Sequence, residues 1–291
     1  MPWRLPFLKM HGAGNDFVMI DSRHIPRSGL SREHIVALCN RRLGIGADGL
    51  MVISLYTEAD TPVTIAAGSN ADDQTDFAAD FAMAYYNADG GAAEMCGNGA
   101  RCAVAFAHRL GLFQTECRFK TEAGYLAGKF VGEEVEVTLP PWRELKCHIP
   151  LEGSPFETHH FVDTGVPHLV IPVPDVQGVD LLKWGLFLRG HPALGAAGAN
   201  VDWVLSEPHD GEFQLRTYER GVEGETLACG TGAAAVAVVL CQLGLATSPV
   251  PLRTWGGDRL VVTVKSDAYN PALRLRGPVK VSFAGEVEIH G

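Results

Sequence analysis

Two cysteines stand out by what surrounds them. Cys96 opens the stretch Cys96-Gly97-Asn98-Gly99-Ala100-Arg101-Cys102, and Cys229 opens Cys229-Gly230-Thr231-Gly232-Ala233. Each puts a thiol and a glycine-spaced turn directly ahead of an alanine-rich, apolar run. Such a run after Gly-x-Gly reads as a helix, so each sulfur is expected at a helix N-terminus. The first N–H groups of a helix have no intrahelical partner, and the helix dipole is positive there. A thiol so placed is expected to ionise below its free value of about 8.5. The N–H groups of Gly97, Asn98, Gly230 and Thr231 can in addition hold a carboxylate. If the two helix starts face each other across a cleft, that carboxylate lies between two thiols. One sulfur can then take a proton from one face of an α-carbon while the other delivers a proton to the opposite face. This chemistry inverts an amino acid and requires neither metal nor pyridoxal. Against it stands a plain reading, because cysteine is a common core residue and Gly-x-Gly often only starts a helix. A single copy would favour that plain reading; two copies with matching lead-ins favour the chemistry.

The lead-ins show what must position the thiols. Phe81, Met83 and Tyr85 alternate into Asn87 and a glycine loop before Cys96. Phe213, Leu215 and Thr217 alternate into Glu219-Arg220 and a glycine loop before Cys229. Period-two alternation predicts strands, so strand, loop, Cys-Gly-x-Gly and helix occur twice. Near the start, Gly12-x-Gly14 has part of a dinucleotide fingerprint, but the third glycine is missing and no strand is expected ahead of it. A tight loop carrying Asn15 into a strand at 18–20 fits better. Ser31 is expected to cap a helix with Ile35, Leu38 and Cys39 on its apolar face and Gly44 as its stop. Gly46-Ala47-Asp48-Gly49 turns into a strand at 50–55, and 57–76 reads as an exposed insertion or loose hairpin. Further strands are expected at 118–123, 126–131, 134–139, 201–205, 212–218, 260–265, 273–276 and 279–283, with a helix over 180–188. Pro140-Pro141 and the loop over 150–155 mark the crossing between halves. Strand-rich halves with one long apolar helix each predict sheets curled about a central helix, rather than a doubly wound sheet.

At 291 residues and 46 % hydrophobic content the chain can build two domains. A formal net charge of −10 argues against nucleic acid or an anionic membrane surface as partner. The seven cysteines are odd in number and widely spaced, unlike a small disulfide framework. No Cys-x-x-Cys or His-Glu-x-x-His is present, so no metal site is expected. The first residues are too proline-rich for a signal peptide. The uncharged stretch over 226–252 is broken by Gly230, Gly232, Gly244 and Pro249, and its apolar heart is shorter than the ~20 residues a bilayer needs. A cytoplasmic protein with a buried helix is expected. Cys102, six positions after Cys96, lies about 240° round a helix and is expected in the core, as are Cys39 and Cys241.

A set of segments in fixed order identifies a family. They are His11-Gly12-Ala13-Gly14-Asn15-Asp16-Phe17, Gly44-Ile45-Gly46-Ala47-Asp48-Gly49, Tyr86-Asn87-Ala88-Asp89-Gly90, Cys96 to Cys102, Pro167-His168, Asn200, and Tyr218-Glu219-Arg220-Gly221 leading to Cys229-Gly230-Thr231-Gly232. Together they span nearly the whole chain, which resembles the diaminopimelate epimerases, pyridoxal-independent two-cysteine enzymes of lysine and peptidoglycan synthesis. The resemblance implies that Cys96 and Cys229 are the acid–base pair, with His168 and Glu219 tuning the thiols. It implies that Gly97, Asn98, Gly230 and Thr231 hold the carboxylate of the reacting centre, while Asn15, Asn87, Asn200, Glu219 and Arg220 bind the remaining polar groups. Arg220 can clamp a distal carboxylate in a bidentate fork. It also implies an α+β fold of two pseudo-symmetric domains, each a curled mixed or antiparallel sheet around a central helix, one over 1–139 plus 279–291 and the other over 140–278, in a homodimer without cofactor. Two departures bear on the substrate: Val166 stands where the family often has asparagine, and the 57–76 stretch is longer than usual. Other readings are a racemase or epimerase of proline or hydroxyproline, a thiol-dependent redox enzyme or hydrolase, and a non-catalytic amino-acid binding protein. The compact ring fits Arg220 and the asparagines less well; the redox or hydrolase reading lacks a closely spaced cysteine pair and an adjacent histidine partner; and a binding protein has no use for matched thiols.

Overall fold

The computed structural model describes residues 2–56, 79–93, 95–265 and 272–289. The first half contains β1 (Trp3–Gly12), β2 (Asn15–Asp21), α1 (Arg32–Cys39), β3 (Gly49–Leu55), β4 (Phe81–Asn87), β5 (Ala92–Ala93), α2 (Gly97–Arg109), β6 (Glu116–Thr121), β7 (Gly124–Val131) and β8 (Glu134–Leu139). After β9 (Arg143–Lys146) come β10 (His160–Asp163), β11 (Pro167–Val173), α3 (Leu181–Arg189), β12 (Asn200–Leu205), β13 (Phe213–Glu219), β14 (Gly224–Thr226) and α4 (Gly230–Gln242). The chain closes with β15 (Val250–Arg253), β16 (Arg259–Lys265), β17 (Ala272–Gly277) and β18 (Lys280–Ile289).

The strands form one continuous ribbon whose pairing repeats. From β1 through β2, β3, β4, β6, β7 to β8, the pairs run antiparallel, parallel, antiparallel, parallel, antiparallel, antiparallel. From β10 through β11, β12, β13, β15, β16 to β17 the same sequence of senses recurs. Parallel neighbours need a crossover connection, and each one here has a helix: α1 joins β2 to β3, α2 lies between β4 and β6, α3 joins β11 to β12, and α4 lies between β13 and β15. The small strands β5 and β14 fold back on β4 and β13 just before the two cysteines. The two ribbons join through the antiparallel pair β8–β17, and the final strand β18 returns to pair with β1.

Each sheet curls around its central helix. Helix α2 packs against β1, β2, β3, β7 and β8, and α4 packs against β10, β11, β12 and β16. Every residue of α4 from Gly232 to Leu240 is buried, as expected of a helix that is apolar all round. Its alanines let the strands approach closely, and both helices share one hydrophobic core. Smaller cores gather around α3, with Trp203 and Leu188, and around α1, with Ile35 and Leu38. Among the described residues no helix is long and apolar enough to cross a membrane.

Several expectations are corrected. A strand does precede Gly12-x-Gly14: β1 runs ten residues and meets β2 at a hairpin whose Ala13 and Gly14 both have positive φ. Pro6 obscured the alternation of Trp3, Leu5 and Phe7, although a ladder interrupted by one proline still holds through its neighbours. Helix α1 ends well before Gly44. Ser31 caps it as expected, in a capping box with His34, but Asn40 turns out of the helix and its side chain accepts from the N–H of Arg42 and Leu43. The last strand extends to Ile289 rather than 283, because β1 offers it a long edge. The 57–76 insertion lies outside the described residues.

Candidate active site

The repeated topology brings two sets of strand ends together. On one side Phe17, Gly49 and Asn87 are in register across β2, β3 and β4. On the other, His168 pairs with Asn200, and Val201 with Tyr218, across β11, β12 and β13. Asn15, Asp48 and Asn87 therefore stand at the rim of the first half where His168, Asn200 and Glu219 stand in the second. The helix that follows each rim begins at a cysteine.

Cys96 and Cys229 are the N-caps of α2 and α4. Each has extended backbone, and its Sγ accepts from the N–H three residues on, Gly99 at 3.4 Å and Gly232 at 3.3 Å. The two helix starts touch. A Cβ built on Gly230 would lie 3.2 Å from the Cα of Gly97 and 3.3 Å from the Asn98 nitrogen. Only glycine at both places permits this approach. The starts of the two helices consequently lie side by side, and their two positive dipole ends reinforce each other there.

The thiols do not follow the expected direction of ionisation. Burial pushes Cys96 up from its ordinary value and pushes Cys229 up further; nearby Glu219 adds to both, and the capping N–H groups only partly oppose it. Desolvation of a full negative charge outweighs two partial dipoles in a site this dry. The helix starts are where they were expected, and the sign of the net shift is reversed. Cys229 is 8 % exposed while Cys96 is only half-buried, so the two residues differ in exposure.

Around Cys229 the second half builds a buried relay. Asp202 Oδ2 accepts from His168 Nδ1 at 2.7 Å, and Asp202 Oδ1 accepts from the Thr217 hydroxyl at 2.7 Å. His168 Nε2 faces the Thr231 hydroxyl at 3.0 Å and the Asn200 amide nitrogen at 3.4 Å. Because a carboxylate only accepts and an amide nitrogen only donates, Nδ1 carries the hydrogen and Nε2 accepts. The Thr231 hydroxyl in turn lies 3.4 Å from Cys229 Sγ. Glu219 accepts from Thr226 at 2.6 Å; burial raises its carboxyl, while hydrogen bonds from Thr226 and the Cys229 thiol act against that. Asn200 Oδ1 accepts from the Arg220 backbone N–H at 2.8 Å, and Arg220 Nη1 donates to the Ala197 carbonyl at 3.0 Å.

The first half is organised by carboxylates. Asn15 Nδ2 donates to Asp48 Oδ2 at 2.9 Å, and Asn15 Oδ1 accepts from Asn98 at 2.7 Å. Asp16 holds Lys9 at 2.8 Å, and Arg41 bridges Asp16 and Asp48. Burial alone would raise Asp16, but hydrogen bonds from Arg41 and Lys9 bring its carboxyl down to about 2. Asn87 is exposed at the open end of β4, and Val166 is half-buried in the turn between β10 and β11. Cys102 is fully buried, and Cys39 nearly so.

Asp202, Thr217, Asp48 and Arg101 were not singled out from the sequence. Signals existed for two of them. Asp202 follows Asn200 by two on a strand and so shares its face, and Arg101 lies three and four residues from Asn98 and Gly97 on a helix. Thr217 and Asp48 could be recognised only once the neighbouring strands were paired.

Comparison with known proteins matches this geometry to a family. A model of the diaminopimelate epimerase family matches residues 7–139 and 160–281. A diaminopimelate epimerase from Gemmatimonas aurantiaca is 38 % identical, with 97 % of this chain and 99 % of the relative covered. One from Aquifex aeolicus is also 38 % identical, covering 97 % and 98 %. Among solved structures, a phenazine biosynthesis protein from Bacillus anthracis superposes with a TM-score of 0.71 at 14 % identity, covering 99 % of both chains. A hydroxyproline epimerase from Agrobacterium vitis does so with a TM-score of 0.68 at 16 % identity, covering 99 % and 94 %. These two share the fold. By its sequence over both halves, the chain belongs to the diaminopimelate epimerase family.

Proposed function

We propose that the chain interconverts LL- and meso-diaminopimelate by proton transfer between Cys96 and Cys229, as an isomerase of lysine biosynthesis. The observation that carries the reading is the contact of Gly97 with Gly230, which joins two thiol-capped helix starts into one site. One sulfur, as thiolate, takes the α-hydrogen; the electron pair left behind spreads into the carboxylate. The opposite thiol then gives its proton to the other face, so one C–H bond breaks, one forms, and the charge ends on the second sulfur. Gly97, Asn98, Gly230 and Thr231 hold that carboxylate through N–H groups whose pull strengthens as water leaves. His168, through Thr231, and Glu219 tune Cys229. Asn15, Asn87, Asn200, Glu219 and Arg220 bind the distal amino-acid end, where a cation and an anion must both be met.

The division into domains 1–139 plus 279–291 and 140–278 is supported by the break in the family match after residue 139 and by the return of β18 to β1. A cytoplasmic homodimer without cofactor is part of the same reading, and the edge strand β18, with Val281 and Phe283 exposed, suits a contact between copies. The test is incubation with LL-diaminopimelate in D₂O, following α-deuterium by mass spectrometry. Deuterium should enter as the centre inverts, and Cys96→Ala and Cys229→Ala should each abolish inversion. Exchange with proline but not diaminopimelate would move the substrate; no exchange with either would end the reading.

A further inference from the structure

Arg101 is a charge buried without a counter-charge. Its side chain is 0 % exposed, one turn inside α2. Nη1 donates to the Gly97 carbonyl at 3.3 Å and Nη2 to Asn98 Oδ1 at 3.0 Å, while Nε meets no acceptor. Among the described residues no carboxylate pairs with it. Asp258 and, more weakly, Glu134 act on it only from beyond ion-pair distance, and Glu134 is held by Arg276 at 3.2 Å. An arginine stays protonated even when buried, and an unpaired buried ion is costly. Stability alone does not explain its presence.

Its hydrogen bonds do. Asp48 can only accept, so Asn15 turns its amide nitrogen to Asp48 and its oxygen to Asn98. Asn98 therefore presents its nitrogen, which donates both to Asn15 Oδ1 and, at 3.3 Å, to the Ala228 carbonyl immediately before Cys229. Its oxygen then needs a donor that cannot accept, and Arg101 supplies one. The chain is polarised from an acceptor-only end to a donor-only end, and flipping either amide would set like against like. It ties the first glycine loop, the Cys96 helix and the Cys229 loop together.

We propose that Arg101 is a positioning residue for the two-cysteine site: its fork locks Asn98 across both cysteine loops, and its charge is the built-in counterpart of the thiolate and substrate carboxylate present during turnover. This rests on the proposed function for its substrate, but the thiol measurement below does not need substrate. The other charged or titratable groups facing the sulfurs include Glu219 from β13, Asp202 from β12 and Tyr85 from β4, and His168 from β11 stands one group back, against Thr231 and Glu219. Cys102, Cys96, Asp258 and Glu134 face Arg101 itself. Among the groups named around the sulfurs, Arg101 alone is a permanent cation.

The test compares Arg101→Met, which removes charge and fork, with Arg101→Lys, which keeps charge and loses the fork. Alkylation of Cys96 and Cys229 by iodoacetamide is followed across pH by mass spectrometry, alongside kcat and KM and a thermal melt. R101M should raise the pH midpoint for Cys96 by about one unit, a tenfold change in ionisation. Its kcat should fall about 100-fold, the scale of losing one fixed donor at a reacting anion, with KM moved much less. R101K should keep the midpoint within about 0.3 units, well short of the tenfold change, and lose about tenfold in kcat. An unchanged midpoint in folded R101M, or an equal shift in R101K, overturns the proposal. If R101M does not fold, R101K decides alone: a raised midpoint or an unchanged kcat refutes it. Failure of wild-type exchange with diaminopimelate would instead strike the substrate reading and leave the thiol result standing.

Discussion

Removing the carboxylate of Asp202 should damage both stability and turnover. This side chain is fully buried and accepts two hydrogen bonds of 2.7 Å, from His168 and Thr217. Hydrogen bonds to a charged group contribute about 1.5–3 kcal/mol each, so Asp202→Ala should cost about 3–6 kcal/mol. At about 2–4 °C per kcal/mol for a chain of this size, the melting temperature should drop by about 6–24 °C. Turnover should fall further than binding, because His168 Nε2 faces Thr231 and Asn200 as an acceptor only while Nδ1 is held by the acid. Asp202→Asn keeps the shape, since an amide oxygen can accept from Nδ1 and its nitrogen can donate to the Thr217 hydroxyl. It should cost about 1–2 kcal/mol, the difference between a charged and a neutral acceptor, and still slow turnover about tenfold by weakening the hold on the ring. Calorimetry and deuterium incorporation in D₂O measure the two effects on the same samples. The reasoning is refuted if D202A melts within about 2 °C of wild type, less than one lost hydrogen bond would give, and keeps its kcat.

The same carboxylate can be disturbed from the opposite side. A Cβ at Gly232 would collide with Asp202 Oδ1, so G232A should slow turnover, and its effect should be non-additive with D202A in a double-mutant cycle. Cys96 should be alkylated before Cys229, because it is the more exposed residue and its thiol the less strongly raised; equal rates mapped by mass spectrometry would contradict the difference in burial. Stability should decline in alkali. Burial pushes Cys39 up to about 11, and Cys102 and Cys117 up to about 12, while unfolded thiols ionise at about 8.5. The unfolded chain then holds fewer protons than the native one, so this stability is intact below about pH 8.5 and is lost as pH climbs through the folded values. Melts taken from pH 8 to 11 should show the fall, and Cys102→Ala should make it shallower. In acid the sign reverses for Asp16, whose stabilisation is present above its unfolded value and should disappear as pH falls toward about 2.

The residues that start and stop elements act locally, and so they could be read in order along the chain. The thiols at the starts of α2 and α4, the Ser31 cap and the alternating strands before each cysteine depend on neighbours one to four positions away. The expectation of sheets curled about a central helix followed from their repetition. What is set by distant neighbours escaped. Pro6 hid β1, whose support comes from β2 on one side and β18 on the other. Gly44 looked like a helix stop, but Asn40 ends the helix first by capping its own following turn. The direction of the thiol shifts depends on how much water the whole fold excludes, a sum over both sheets that no short window contains. The contact of Gly97 with Gly230, the pairing of His168 with Asp202 and the lone guanidinium of Arg101 have the same origin. Their partners lie far apart in the chain or on a face whose surroundings other strands supply. Sequence alone determined which groups the site has to work with; tertiary packing decided their distances, their dryness and their charge, because electrostatic energy depends on separation and solvent rather than on order along the chain.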